Sequence, residues 1–147
     1  MKLKPPIVYT CTASPLGPIW VAATASGIAG AWFEGQQHFP DTTGWSRDDQ
    51  HPLLRTAVQQ LAEYLASQRQ RFDLPLDLQG GTAFQQAVWQ GLLAIPRGQT
   101  TSYQALSQRI GRPAAVRAVG AAIGRNPVSV VVPCHRVLGS NGSLTGY

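Results

Sequence analysis

The chain has two thiols, and they sit in very different company. Cys134 lies in the run Val130-Val131-Val132-Pro133-Cys134-His135-Arg136-Val137, with an imidazole and a guanidinium as its immediate successors. A cysteine acts as a nucleophile only as thiolate, and nearby His and Arg lower its pKa from about 8.5. Neighbours along extended chain point to different sides, so His135 needs a water to take the proton from Cys134. A Cys beside a His also occurs as inert core, and the pair alone does not decide between the two readings. Cys11 has no ionisable neighbour in the chain and reads as a packed thiol. His38 and His51 have no ligand-like spacing to either cysteine, so no zinc site is expected.

The elements that must carry these groups are legible in the pattern. Ile7 to Thr12, Ile19 to Thr24 and Ile28 to Phe33 are rich in β-branched and aromatic residues and are separated by Pro/Gly/Ser turn chemistry, which predicts an antiparallel meander. Residues 36–52 read as a polar loop. Leu54, Val58, Leu61 and Leu65 recur on one face of a helix that should pack on the sheet. Phe72, Leu74, Leu76 and Leu78 then alternate along extended chain to Gly80-Gly81, where a boundary is placed between a sheet-and-helix domain, residues 1–80, and a second domain, residues 81–147.

The second domain opens with a helix that Thr82 can cap and Pro96-Arg97-Gly98 stops. Thr101 or Ser102 caps a short helix through Arg109. Gly111 fits the position after its end, and Pro113 suits the first turn of a following helix that runs to about Ile123. Two short helices joined by a tight glycine turn make a helix-turn-helix. The second is nearly bare of large side chains: Ala114, Ala115, Ala118, Gly120, Ala121 and Ala122, with Arg117 projecting from the middle. An interior Gly120 costs roughly 1 kcal/mol relative to Ala, so either tight packing within the fold or the close approach of another surface must require it. Val130, Val131 and Val132 predict a buried strand that Pro133 ends, with Cys134 and His135 where it gives way to a turn.

Charge separates along the same line. All seven acids precede residue 78, so the first 77 residues carry six bases against seven acids, while the last 70 hold six arginines and no carboxylate side chain. An unopposed positive segment attracts polyphosphate, and nucleic acid is the leading partner. The length, 147 residues, and the 44% hydrophobic content suit one core or two small ones and exclude a collagenous or disordered chain. No apolar run approaches a membrane span or a secretory signal, so a cytoplasmic protein with no membrane partner is expected.

Asn126-Pro127 followed by Pro133-Cys134-His135-Arg136-Val137 resembles the active-site signature of the O6-alkylguanine-DNA alkyltransferases, also called methylated-DNA-protein-cysteine methyltransferases. The likeness continues upstream in the family's order through Thr101-Ser102-Tyr103-Gln104-Ala105-Leu106, Gly111 and Arg117-Ala118-Val119-Gly120, and covers Thr82 to Tyr147. The resemblance implies an α+β protein, with a ribonuclease-H-like sheet-and-helix domain followed by a winged-helix-like domain bearing the helix-turn-helix. It implies single-turnover repair of O6-alkylguanine, and of O4-alkylthymine, in double-stranded DNA by a monomer without metal or cofactor.

Residue roles follow from the same likeness. Cys134 is the alkyl acceptor and His135 its base through water. Tyr103 and the Val137 carbonyl contact the base, and Asn126 and Pro133 shape the pocket. Arg117 is the finger that fills the duplex when the damaged nucleotide turns out. Ala115 and Gly120 let the helix lie in the minor groove, and Gln104, Arg112 and Ser140 contact phosphates. Val116 stands where a smaller residue is usual. The chain also stops at Tyr147, where the family continues into a glycine pair and a helix carrying a glutamate that orients the histidine, so a truncated chain is expected. The alternative reading is a non-catalytic helix-turn-helix module that recognises alkylated DNA and recruits other repair factors. A thiol hydrolase lacks the carboxylate a triad needs.

Overall fold

The computed structural model describes residues 3–36, 39–96, 98–133 and 137–138. The chain divides into two compact units. The first comprises residues 1–80 together with Pro127–Ser129, and the second residues 81–126 and 130–147. The architecture is mixed α+β: a four-stranded sheet, a two-stranded sheet and four helices among the described residues.

In the first unit, β1 (Val8–Thr12), β2 (Ile19–Thr24) and β3 (Gly27–Phe33) form the expected meander. The supposed loop contributes a further strand, β4 (Ser46–Arg47), which pairs parallel to β1, so the sheet is mixed and ordered β3-β2-β1-β4. Two polar, exposed residues give no alternation to read, which is why the sequence conceals this strand.

The helix α1 (Pro52–Leu65) packs on one face. Its buried face is Leu54, Ala57, Gln60 and Leu61, whereas Val58 and Leu65 stand half-buried at the edge. A glutamine belongs in that face because its amide is satisfied at both ends: the Asp73 amide donates to Oε1 at 2.9 Å, and Nε2 donates to the Asp73 carbonyl at 3.1 Å. The extended segment after it runs along β3, with Ile28 N–H donating to the Pro75 carbonyl and Asp77 N–H to the Ile28 carbonyl, both at 2.8 Å.

The sheet also carries a cluster of rings. Tyr9 stacks on Trp20 with centroids 5.0 Å apart, and Trp32 meets Trp45 at 5.6 Å. Trp32 is 2% exposed and lies across Gly30, where an added Cβ would fall 1.8 Å from the indole, so only glycine fits beneath it.

The second unit is built on α2 (Ala83–Leu93), α3 (Tyr103–Arg109) and α4 (Val116–Gly124). Thr82 caps α2 in a reciprocal box with Gln85, and Ser102, not Thr101, caps α3. Val88, Trp89, Leu92, Leu106, Val119 and Ile123 form its core, and the Trp89 indole N–H donates to the Ala122 carbonyl at 2.9 Å, binding α2 to α4. Gly111, at φ +78°, turns the chain after α3. The next helix begins later than the pattern suggested: Pro113 and Ala114 stay in the turn, Ala115 is the cap, and Arg117 is therefore the second helical residue, not a central one.

The valine run corrects another expectation. Val130, Val131 and Val132 are buried, but they form turns, not a strand. Only Val128 bridges, parallel to Ala31, with Ser129 N–H donating to the Ala31 carbonyl at 2.9 Å. Val130 then adopts φ +72°, a left-handed conformation that costs a β-branched residue of order 1–3 kcal/mol and persists only where surrounding structure imposes it.

Candidate functional site

Backbone pairing in the second unit joins the segment before Tyr103 to the segment after the Cys134 run. β5 (Thr101–Ser102) and β6 (Val137–Leu138) run parallel, with Thr101 opposite Val137 and Ser102 opposite Leu138. Tyr103 starts α3 directly after β5, so its half-buried ring lies two residues past Thr101, the partner of Val137, although 34 positions separate Tyr103 and Val137 in the sequence. Cys134, His135 and Ser140 lie outside the described residues. The chain is nonetheless fixed on both sides of the thiol: Pro133 is buried before it, and Val137 is held in β6 after it.

Asn126 explains part of that fixation. It is 6% exposed at the exit of α4, and its Nδ2 donates to the Val132 carbonyl at 2.8 Å. A bond from the helix exit to a residue two before Cys134 makes the position of the pre-thiol segment depend on α4.

The outer face of the helix pair carries the remaining candidates. Gln104, Arg112 and Arg117 are exposed, and Ala115 and Gly120 are half-exposed. Arg109 and Arg125 are exposed too. With no acid in the last 70 residues, this unit has no carboxylate side chain of its own to neutralise them. Among the described residues only Tyr103 lies within 4 Å of a Cβ added at Gly120, at 3.9 Å, an ordinary contact. Packing among the described residues therefore does not demand glycine there.

Cys11 differs from the packed thiol expected. It is half-buried and lines an open groove of about 770 Å³ with Thr10, Asp49 and Arg55. Its neighbourhood is also ionic, because β4 brings Arg47 close and Asp49 accepts from Thr10 Oγ1 at 2.7 Å and from Arg47 Nε at 2.9 Å. Burial and then Glu34 push the Cys11 pKa above its usual 9.0; Arg47 pulls it partly back, and Asp49 adds a lesser push upward. Its thiol is thus protonated at neutral pH. A Cys134→Ala variant, in which Cys11 is the remaining cysteine, should be alkylated slowly by iodoacetamide at pH 7.5, with a rate that climbs about tenfold per pH unit to beyond pH 9. A plateau below pH 8 would contradict this. No group of three or more His, Cys, Asp or Glu residues suited to a metal occurs among the described residues.

An α+β chain whose second unit presents an arginine-bearing helix-turn-helix, and whose sequence places a Cys-His-Arg run between that helix exit and a short strand, has the make-up of a DNA-binding protein. Residues 7–78 match the model of the 6-O-methylguanine DNA methyltransferase ribonuclease-like domain, and residues 83–147 match that of the same family's DNA-binding domain. The chain belongs to the methylated-DNA-protein-cysteine methyltransferase family. It is 45% identical to the Mycobacterium tuberculosis member over 141 residues, covering 96% of this chain and 84% of that one. The inducible Bacillus subtilis member is 46% identical over 139 residues, covering 87% and 76%. Among solved structures, Mycobacterium tuberculosis OGT in complex with DNA superposes with a TM-score of 0.86 at 44% identity, covering 95% of this chain and 83% of that one.

Proposed function

We propose that the chain repairs alkylated DNA by direct reversal, moving the alkyl group of O6-alkylguanine, and of O4-alkylthymine, onto Cys134. The thiolate sulfur forms a bond to the alkyl carbon as the bond from that carbon to the base oxygen breaks. The electron pair leaves with guanine, and the product is a thioether. His135 takes the thiol proton through a water. Tyr103 donates toward the extruded base, so that charge developing on the leaving guanine meets a fixed donor. The Val137 carbonyl accepts from the exocyclic amine and favours guanine, while Asn126 and Pro133 hold the wall of the pocket.

DNA is the partner, and α4 lies in the minor groove. Ala115 and Gly120 allow the helix backbone to come close, Arg117 fills the stack behind the extruded nucleotide, and Gln104, Arg112 and Ser140 meet phosphates. The protein acts as a cytoplasmic monomer, once per molecule. None of the helices among the described residues is long and apolar enough to cross a membrane.

The observation that carries this reading is the register of β5 against β6. It sets Val137, three residues after Cys134, opposite Thr101, two residues before Tyr103, so the two groups assigned here to the base come from paired segments. A duplex bearing radiolabelled O6-methylguanine should pass its label to the protein in a single burst with one label per protein. Label that stayed on the DNA while the protein bound it would favour a recruiting module instead.

Gly120 supplies a separate check. Gly120→Ala should raise stability by about 0.5–1 kcal/mol, because a helix-interior glycine gains a methyl that merely touches the Tyr103 ring. The same methyl should hold α4 off the groove and slow transfer from duplex. A stabilised variant with an undiminished duplex rate would remove Gly120 from the interface.

A further inference from the structure

Val116 is 36% exposed, one of three large apolar side chains so exposed among the described residues. The other two, Leu16 and Leu93, lie outside the helix-turn-helix. Val116 is the first residue of α4, and the other exposed residues of that helix are Arg117, Ala118 and Ala121. Its burial does not account for it, since the buried residues of α4 are Val119, Ala122 and Ile123.

A valine here has a definite shape. Its two methyls branch from Cβ and its χ1 is stiff, so it forms a short rigid wedge that cannot fold aside. The floor of the minor groove differs between base pairs in one respect that such a wedge can read. A·T pairs show only the acceptors N3 and O2, whereas a G·C pair adds the N2 amine, which projects into the groove. Methyls pressed over that amine displace the water that would satisfy it and offer no acceptor in return, leaving a desolvated donor. Over an A·T pair the same methyls meet a smoother floor.

We infer that Val116 is a specificity-determining residue that makes the protein discriminate against G·C pairs flanking the lesion. The inference rests on the reading of α4 as the minor-groove element. An alanine at this position would leave room for a bridging water and lose the discrimination, so the preference belongs to this side chain and not to the helix.

The test uses two duplexes that differ only in the pairs flanking O6-methylguanine, A·T in one and G·C in the other. Single-turnover transfer is measured for the full chain and for Val116→Ala, with the affinity of each protein for undamaged duplexes of the same two flanks. The unsubstituted chain should react with and bind the A·T-flanked duplex about 5- to 10-fold better. Val116→Ala should shrink that ratio by raising the G·C values, while its rate with free O6-benzylguanine stays the same. Because A·T flanks ease extrusion in any protein, the change in ratio on substitution decides the matter. An unchanged ratio, or an equal loss on both duplexes, overturns the inference. Failure of transfer from both duplexes, with the flank preference in binding intact and abolished by Val116→Ala, would contradict the repair reading and leave this one standing.

Discussion

Cys134→Ser should leave the protein folded and able to bind a duplex carrying O6-methylguanine, yet transfer no label to it. Sulfur is what the reaction requires. A serine hydroxyl at the same place stays protonated at neutral pH and is far less polarisable, whereas a thiolate flanked by His135 and Arg136 is both anionic and a strong nucleophile. The described neighbours argue that the substitution will not unfold the chain. The segment before the thiol is held by the Asn126 to Val132 hydrogen bond and by the buried Pro133, and the segment after it by β6, none of which needs the sulfur. Cys11 serves as an internal control, because its raised pKa leaves it protonated and Cys11→Ser should transfer as fast as the unsubstituted chain. Residual label on the Cys134→Ser protein would mean that another group accepts the alkyl.

Arg117→Ala should separate the chemistry from the extrusion that precedes it. Turning a nucleotide out of the stack costs a few kcal/mol, and a side chain inserted behind it returns part of that cost. Arg117 is exposed at the second position of α4, and its own unit's sequence contains no carboxylate side chain to pair with it. If it returns about 2 kcal/mol, duplex repair should slow about 30-fold on its removal. Reaction with free O6-benzylguanine needs no extrusion and should hardly change. Equal losses on the two substrates would show that Arg117 shapes the pocket and does not fill the duplex.

Much of this was open to the sequence because local chemistry decided it. Thr82 and Ser102 cap their helices because each hydroxyl reaches an amide three residues on, and Gly111 turns the chain because it alone there tolerates φ +78°. The features that escaped reading depend on partners distant in the chain. β4 is two residues long and exists because β1 offers an edge. Gln60 sits in the helix's buried face because Asp73 satisfies it. Arg47 and Asp49 reach Cys11 only through that same unread strand, so the thiol's ionic surroundings were hidden too.

The valine run shows the limit most clearly. Three β-branched residues in sequence favour a strand, and their burial follows from their type, yet Val130 is turned to positive φ between a bridge at Val128 and an anchor at Val132. Tertiary contacts there override local preference, four residues before the thiol. Gly120 was ambiguous for a related reason. Whether a missing side chain serves packing or an external surface depends on what surrounds it, and among the described residues only Tyr103, at 3.9 Å, comes near.

The most direct test of the account is peptide mapping by mass spectrometry after the protein has reacted with one equivalent of O6-methylguanine duplex. The account predicts a single added methyl, on the peptide containing Cys134 and on its sulfur, with the Cys11 peptide unchanged and unmodified guanine restored in the DNA. A methyl on Cys11, on any other side chain, or retained on guanine while Cys134 remained a free thiol would contradict it.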